Sequence, residues 1–176
     1  MKKTNGMVMF LVIVAVFFSC ATSSKPAPEE GRYFEKSGGY SILLPESWQV
    51  TEFPGLKYKI LVGQTENSFI PNITFVDEAF GGDLSLYVNA AIGQLENLFG
   101  ENFELVQRSE FVTLKKARGE KLVTNTFQYN RHIRQILYCF PGKGIKLVAT
   151  CSVLAEEGEA YDAFFDKTME TFEWTK

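Results

Sequence analysis

A single histidine and three cysteines among 176 residues leave little material for zinc coordination or Cys/His catalysis. No Gly-rich phosphate loop occurs, and no G-x-S-x-G elbow presents a serine nucleophile. A basic excess is missing too: 21 Asp and Glu outnumber 18 Lys and Arg, a formal net charge of −3. A dedicated nucleic-acid binder needs the opposite balance, so nucleic acid is not an expected partner. The rest is ordinary globular composition, 45 % hydrophobic and 22 % charged. That is too apolar for disorder and too charged for a polytopic membrane protein. The residues ask for no cofactor and no metal, and they point away from an enzyme.

The N-terminus reads as an address. Lys2 and Lys3 open a positive segment, and residues 7–18 are an uncharged run of Met, Val, Phe, Leu, Ile and Ala. Twelve apolar residues are too few for a membrane span of about 20, but they suit a secretory signal. The run ends in Phe17-Phe18-Ser19-Cys20, which resembles a bacterial lipobox. Phe17 and Phe18 depart from the usual Leu three places before the Cys, a laxity similar to that of spirochaetal lipoboxes. On this resemblance residues 1–19 are a signal peptide and Cys20 is the lipidated residue. The acylated N-terminus then holds the chain on a lipid bilayer at the bacterial cell envelope. The alternative is a plain signal peptide cut nearby, leaving Cys20 a thiol. Loss of Lys2 and Lys3 takes the side-chain charge from −3 to −5. Residues 20–31, ending ATSSKPAPEEG, have the composition of a flexible tether. Residues 32–176 are then a single domain of 145 residues, which buries roughly 68 % of its unfolded surface.

Within the domain, short strands are expected over residues 40–44, 48–52, 57–62 and 69–76. Pro71 suggests a sheet edge for the last. Asp83 caps a helix whose Leu84, Tyr87, Val88, Ala91, Leu95 and Leu98 form one apolar stripe ending at Gly100. Four longer strands follow at 103–114, 116–128, 132–140 and 145–153, the last two joined by a Pro141–Gly144 loop. A final helix over 157–172 carries Tyr161, Phe164, Phe165, Thr168 and Phe172 on one side, with Glu159, Asp162, Asp166 and Glu170 on a solvated other side. The class is α+β: an antiparallel meander flanked by helices in an α/β/α sandwich.

The stretch Gly39-Tyr40-Ser41-Ile42-Leu43-Leu44-Pro45-Glu46-Ser47-Trp48 resembles the opening of PsbP-like domains. The later order agrees: mid-chain helix, meander, hairpin, and a last helix with Tyr161, Phe165, Thr171 and Phe172. The resemblance spans residues 33–174. It implies an antiparallel sheet between helices and a binding or assembly role, with no shared catalytic residues.

Among chemical candidates, Cys139 and Cys151 are expected to stay unbridged. A hairpin turn at Gly142-Lys143 sets Cys139 opposite Lys146 and Cys151 opposite Arg134, about 16 Å apart on opposite faces. His132 has no second ligand at metal-binding spacing, Asn72-Ile73-Thr74 is a sequon without a bacterial reader, and Gly81-Gly82-Asp83 is a helix cap. One feature stands out. Between Lys115 and Lys146 eight basic residues (Lys115, Lys116, Arg118, Lys121, Arg131, Arg134, Lys143, Lys146) meet one acid, Glu120. A turn at Asn130-Arg131 sets Lys121 opposite Phe140 and Arg118 near Lys143. Arg118, Lys121, Lys143 and Lys146 then gather at one sheet end and could contact an envelope protein or an anionic surface. The competing reading has these lysines only discouraging edge pairing, balanced by the acidic helix. The function so indicated is a membrane-anchored, non-enzymatic binding lipoprotein. The alternative is a carrier of a small apolar or anionic ligand, lined by some of the 16 Phe and 7 Tyr.

Overall fold

The computed structural model describes residues 31–175; the expected signal peptide, Cys20 and most of the tether lie outside them. β1 (Arg32–Glu35), β2 (Tyr40–Leu43) and β10 (Glu173–Trp174) form a small antiparallel sheet with β2 at its centre. The large sheet has seven strands, each antiparallel to its neighbours. In spatial order they are β3 (Gln49–Thr51), β4 (Ile60–Val62), β5 (Asn72–Ala79), β9 (Ile145–Leu154), β8 (Arg131–Pro141), β7 (Arg118–Gln128) and β6 (Phe103–Val112). β5 and β6 run parallel with three strands between them. Helix α1 (Leu84–Phe99) therefore crosses one sheet face to connect them. Helix α2 (Gly158–Met169) and the small sheet cover the other face. The α+β class and the helix–sheet–helix layering agree with the sequence.

Local chemistry explains the elements. The Asp83 carboxylate accepts the Leu86 N–H at 2.8 Å and caps α1. Tyr87, Val88, Ala91 and Leu95 are buried as the stripe requires, while Leu98 is 54 % exposed and Phe99 packs in its place. Pro71 stands one residue before β5, where the ladder needs no N–H. Its carbonyl accepts from Gly63 at 2.8 Å, and β5 is an interior strand rather than an edge. β1 and β10 show no period of their own and are ordered by β2, through Tyr33↔Ile42 and Trp174↔Tyr40.

Both long hairpins shift by two residues from the expected register. Tyr129 and Asn130 take φ of 51° and 61°, a two-residue turn of the mirror-image type that suits strand twist, so Lys121 faces Tyr138 rather than Phe140. Gly144, at φ 74°, centres the next turn on Lys143-Gly144. Cys139 therefore faces Val148, and Cys151 faces Ile136. A shift of two keeps every side chain on its face. Cys139 packs under α1 and Cys151 under α2. They are about 10 Å apart along the ladder and unbridged. Burial pushes the Cys139 thiol up to about 12 and raises Cys151 as well.

The core on the α2 side is aromatic: Phe140 stacks on Phe172 at 4.4 Å, and Tyr40 meets Phe75 at 4.7 Å. Trp48 of the Gly39–Trp48 stretch lies against Phe164 and Phe165 at 5.4 and 6.1 Å, fixing α2 to the loop before β3. The α1 side is smaller and mostly aliphatic, with Val88 and Leu95 on Leu122, Leu137 and Val148. Each such fully buried side chain contributes about 1.5–3 kcal/mol.

Candidate interaction surface at one end of the sheet

The four basic residues expected to converge are divided by the fold. Lys121 is 8 % exposed on the α2 face, and its ammonium donates to both Asp166 oxygens at 2.7 Å. Lys146, 5 % exposed, lies on the α1 face; it donates to the Phe80 carbonyl at 3.2 Å and sits 5.5 Å from that ring. The grouping of all four therefore does not form: alternation along the strands sends these two into opposite layers. Arg118 and Lys143 remain exposed at one end of the sheet. The exposed pair Lys115 and Lys116, in the turn between β6 and β7, joins them there.

The solvated acidic face expected on α2 is corrected by the same contacts. Asp162 is bonded by Arg134 through two nitrogens at 2.8 and 2.6 Å, and Asp166 accepts from Tyr138 at 2.7 Å as well as from Lys121. These i, i+4 carboxylates turn toward cations rising from β7 and β8. Helical spacing places residues on a face but does not reveal what a neighbouring strand brings to it.

Beside Arg118 lies an open groove of about 630 Å³ between β6, β7 and the start of α1, with Arg108, Glu110, Val112 and Pro141 among its lining. Arg108 is committed: it reaches Glu120 at 2.6 Å, Asn89 at 2.6 Å and Ser85 at 3.1 Å, tying α1 to the sheet edge. Glu110 faces Glu120 across the ladder, and Val112 faces Arg118. No opposite charge lies within salt-bridge distance of Glu110 or Arg118 among the described residues. Among the described residues β6 is one of the two edges of the large sheet, with β3 at the other, and seven of its ten residues are exposed, including Leu105, Val106 and Val112. A bulge at Leu105/Gln107 interrupts it, leaving a regular run from Gln107 to Val112.

Other sequence candidates fall elsewhere. His132 is exposed and lies 4.8 Å from the Phe127 ring. Asn72 is fully buried at the start of β5. Two further grooves, of about 470 and 610 Å³, open at the Arg131 end and beside Lys57. Among the described residues no group of three His, Cys, Asp or Glu side chains converges on a metal position, and no helix is long and apolar enough to cross a membrane.

No protein-family model matches the sequence, and no curated protein matches it. Solved structures do. Cyanobacterial PsbP (CyanoP) from Synechocystis superposes with a TM-score of 0.61 at 14 % identity, over 89 % of this chain and 98 % of that one. The domain has the PsbP-like fold. LpqN of Mycobacterium tuberculosis, described as involved in cell envelope biogenesis, gives a TM-score of 0.59 at 18 % identity over 78 % of this chain and 83 % of its own. Saccharomyces cerevisiae Mog1p, a Ran-binding protein, gives 0.54 at 11 % identity, over 82 % and 95 %. Identities this low establish the PsbP-like architecture alone, and function must come from the surface.

Proposed function

We propose that this chain is a lipid-anchored protein of the bacterial cell envelope whose PsbP-like domain binds a partner and catalyses no reaction. The exposed β6 edge beside the Arg118 groove carries this reading, because unpaired backbone flanked by Leu105, Val106 and Val112 suits an extended partner segment. Glu110 and Arg118 supply a charge of each sign at its end. Support also comes from structural neighbours described by binding or by the envelope rather than by a reaction. Lipidation of Cys20 supplies the anchor. A photo-crosslinking residue at Val106 or Val112 in cells tests the edge. Both positions should yield the same adduct, and position Tyr129, at the other sheet end, should not. Equal yield at all three removes β6 from the reading. Cys20→Ala should move the chain from the detergent to the aqueous phase; continued detergent partitioning removes the anchor.

A further inference from the structure

The segment 170–174 runs past three separate parts of the chain and gathers them at one end of the domain. The Glu170 carbonyl accepts the Leu114 N–H at 2.8 Å, which pins the β6–β7 turn. The Thr171 carbonyl accepts from Arg32 at 3.1 Å, and its hydroxyl accepts the Leu43 N–H at 3.0 Å. Arg32 is the first residue of β1, and the preceding Gly31 carbonyl accepts from Leu44 at 2.8 Å. Trp174 lies against Gly142, where an added Cβ would come within 3.3 Å of its ring, so the Lys143 turn is at hand as well. The N-terminal segment therefore joins the domain beside the two hairpin tips that carry Lys115, Lys116 and Lys143.

We propose that this end of the domain rests on the anionic headgroups of the bilayer that holds the anchor. This rests on the lipoprotein reading above and names a lipid surface as the partner of the basic sheet end. Leu114 at the tip is 68 % exposed although its backbone is held, and Leu43 close by is 38 % exposed. Thr113 and Ala117 close the turn around it, with Lys116 at φ 65°. An apolar residue on a fixed tip, followed by two lysines, matches an interface that is apolar inside and phosphate outside. Lys115, Lys116, Arg118 and Lys143 make no ion pair among the described residues, whereas of the carboxylates at this end Glu120 is committed to Arg108 and Glu173 to Arg32. Glu78, Asp83, Glu110 and Glu170 remain near this end, but the two tips themselves, residues 113–118 and 141–146, carry cations and no carboxylate. A spacer of twelve residues reaches about 40 Å when fully extended. The Tyr129-Asn130 turn lies at the far end of β7, roughly 36 Å away over its eleven residues. Because the chain enters at the basic end, that end meets the bilayer with the spacer slack, whereas the Tyr129 end would need the spacer drawn out almost fully.

The test uses the whole lipidated protein in phosphatidylcholine vesicles, with and without phosphatidylglycerol, each carrying a headgroup quencher. One fluorophore is placed at Lys115→Cys and, in a second sample, at Asn130→Cys; Cys139 and Cys151 are fully buried and escape labelling. The probe at 115 should be quenched several-fold more than the probe at 130 on anionic vesicles. The difference should shrink on neutral vesicles, and at high salt as the Debye length falls from about 8 Å to about 3 Å. It should also shrink in the Lys116→Glu/Lys143→Glu variant. Equal quenching at 115 and 130 on vesicles that carry the protein overturns this proposal and leaves the anchor standing. Protein that fails to float with vesicles overturns the anchor, and this proposal with it. A difference indifferent to lipid charge, or one that needs an added acidic envelope protein, overturns headgroup recognition.

Discussion

Two buried lysines on opposite faces of one sheet have been accommodated in different ways. Lys121 meets a carboxylate from α2, and Tyr138 shares that carboxylate. Lys146 has no carboxylate within salt-bridge distance among the described residues, although Glu78 is its cross-strand partner; a backbone carbonyl and an aromatic face receive it. The α2 layer is therefore joined to the sheet by charge pairs as well as by aromatic packing, and the α1 layer by apolar contact and the neutral hydrogen-bond partners Asn89 and Ser85 of Arg108, with Lys146 held by backbone. A charge in the first arrangement depends on one remote residue. In the second it depends on none.

Removing the remote residue should have the largest effect. Asp166→Ala leaves Lys121 buried without a counter-charge and should cost about 3 kcal/mol, the low end for a broken buried pair because the Asp166 side chain is itself 35 % exposed. Urea unfolding at constant m measures it, and Lys121→Met should cost far less than Asp166→Ala. Equal losses would mean that the pair, and not the orphaned charge, sets the cost.

Tyr40→Phe probes the same face in the opposite sense. The Tyr40 hydroxyl is buried with no hydrogen-bond partner among the described residues, so its removal should stabilise the protein by about 1 kcal/mol. A loss of stability would reveal a partner for that oxygen.

Glu78→Gln examines the α1 face. Burial raises the Glu78 pKa, opposed by a hydrogen bond from Tyr87. A carboxyl with a raised folded-state pKa favours folding below its unfolded pKa and loses that contribution as pH rises through the folded one. The glutamine variant should therefore melt higher than the parent at pH 7, and the gain should vanish toward pH 4. A gain that persists in acid would exclude ionisation as its cause. The smallest effect belongs to Arg118→Glu/Lys143→Glu: both sites are exposed and outside any ion pair among the described residues, so stability should stay within about 0.5 kcal/mol. A larger loss would mark a structural role for the basic end.

Much of this fold is readable in the sequence where a period is long enough to count. The four long strands and α1 lie close to where alternation and the 3.6-residue stripe place them. β1 and β10, at four and two residues, carry no period and exist because β2 lies between them. The hairpin registers miss by two because the turns centre on positive φ at Tyr129-Asn130 and Gly144, and tyrosine is a poor signal for such a backbone. For the interaction surface, Arg118 and Lys143 are where charge counting suggests. Lys121 and Lys146 are not, since net charge per segment is blind to which side of a strand each residue leaves.

The closure of β10 onto β2 also sets a timetable. Thr175 donates to Gly39 at 2.8 Å, so a residue made well over a hundred positions later completes a sheet begun by the first strands. β5 likewise waits for β9, whose residues are made some seventy positions later. A chain emerging from its N-terminus cannot finish the large sheet before residue 154 is made or the small one before residue 174, and long-range pairing of this kind folds slowly. Until those residues emerge, such a nascent chain stays threadable.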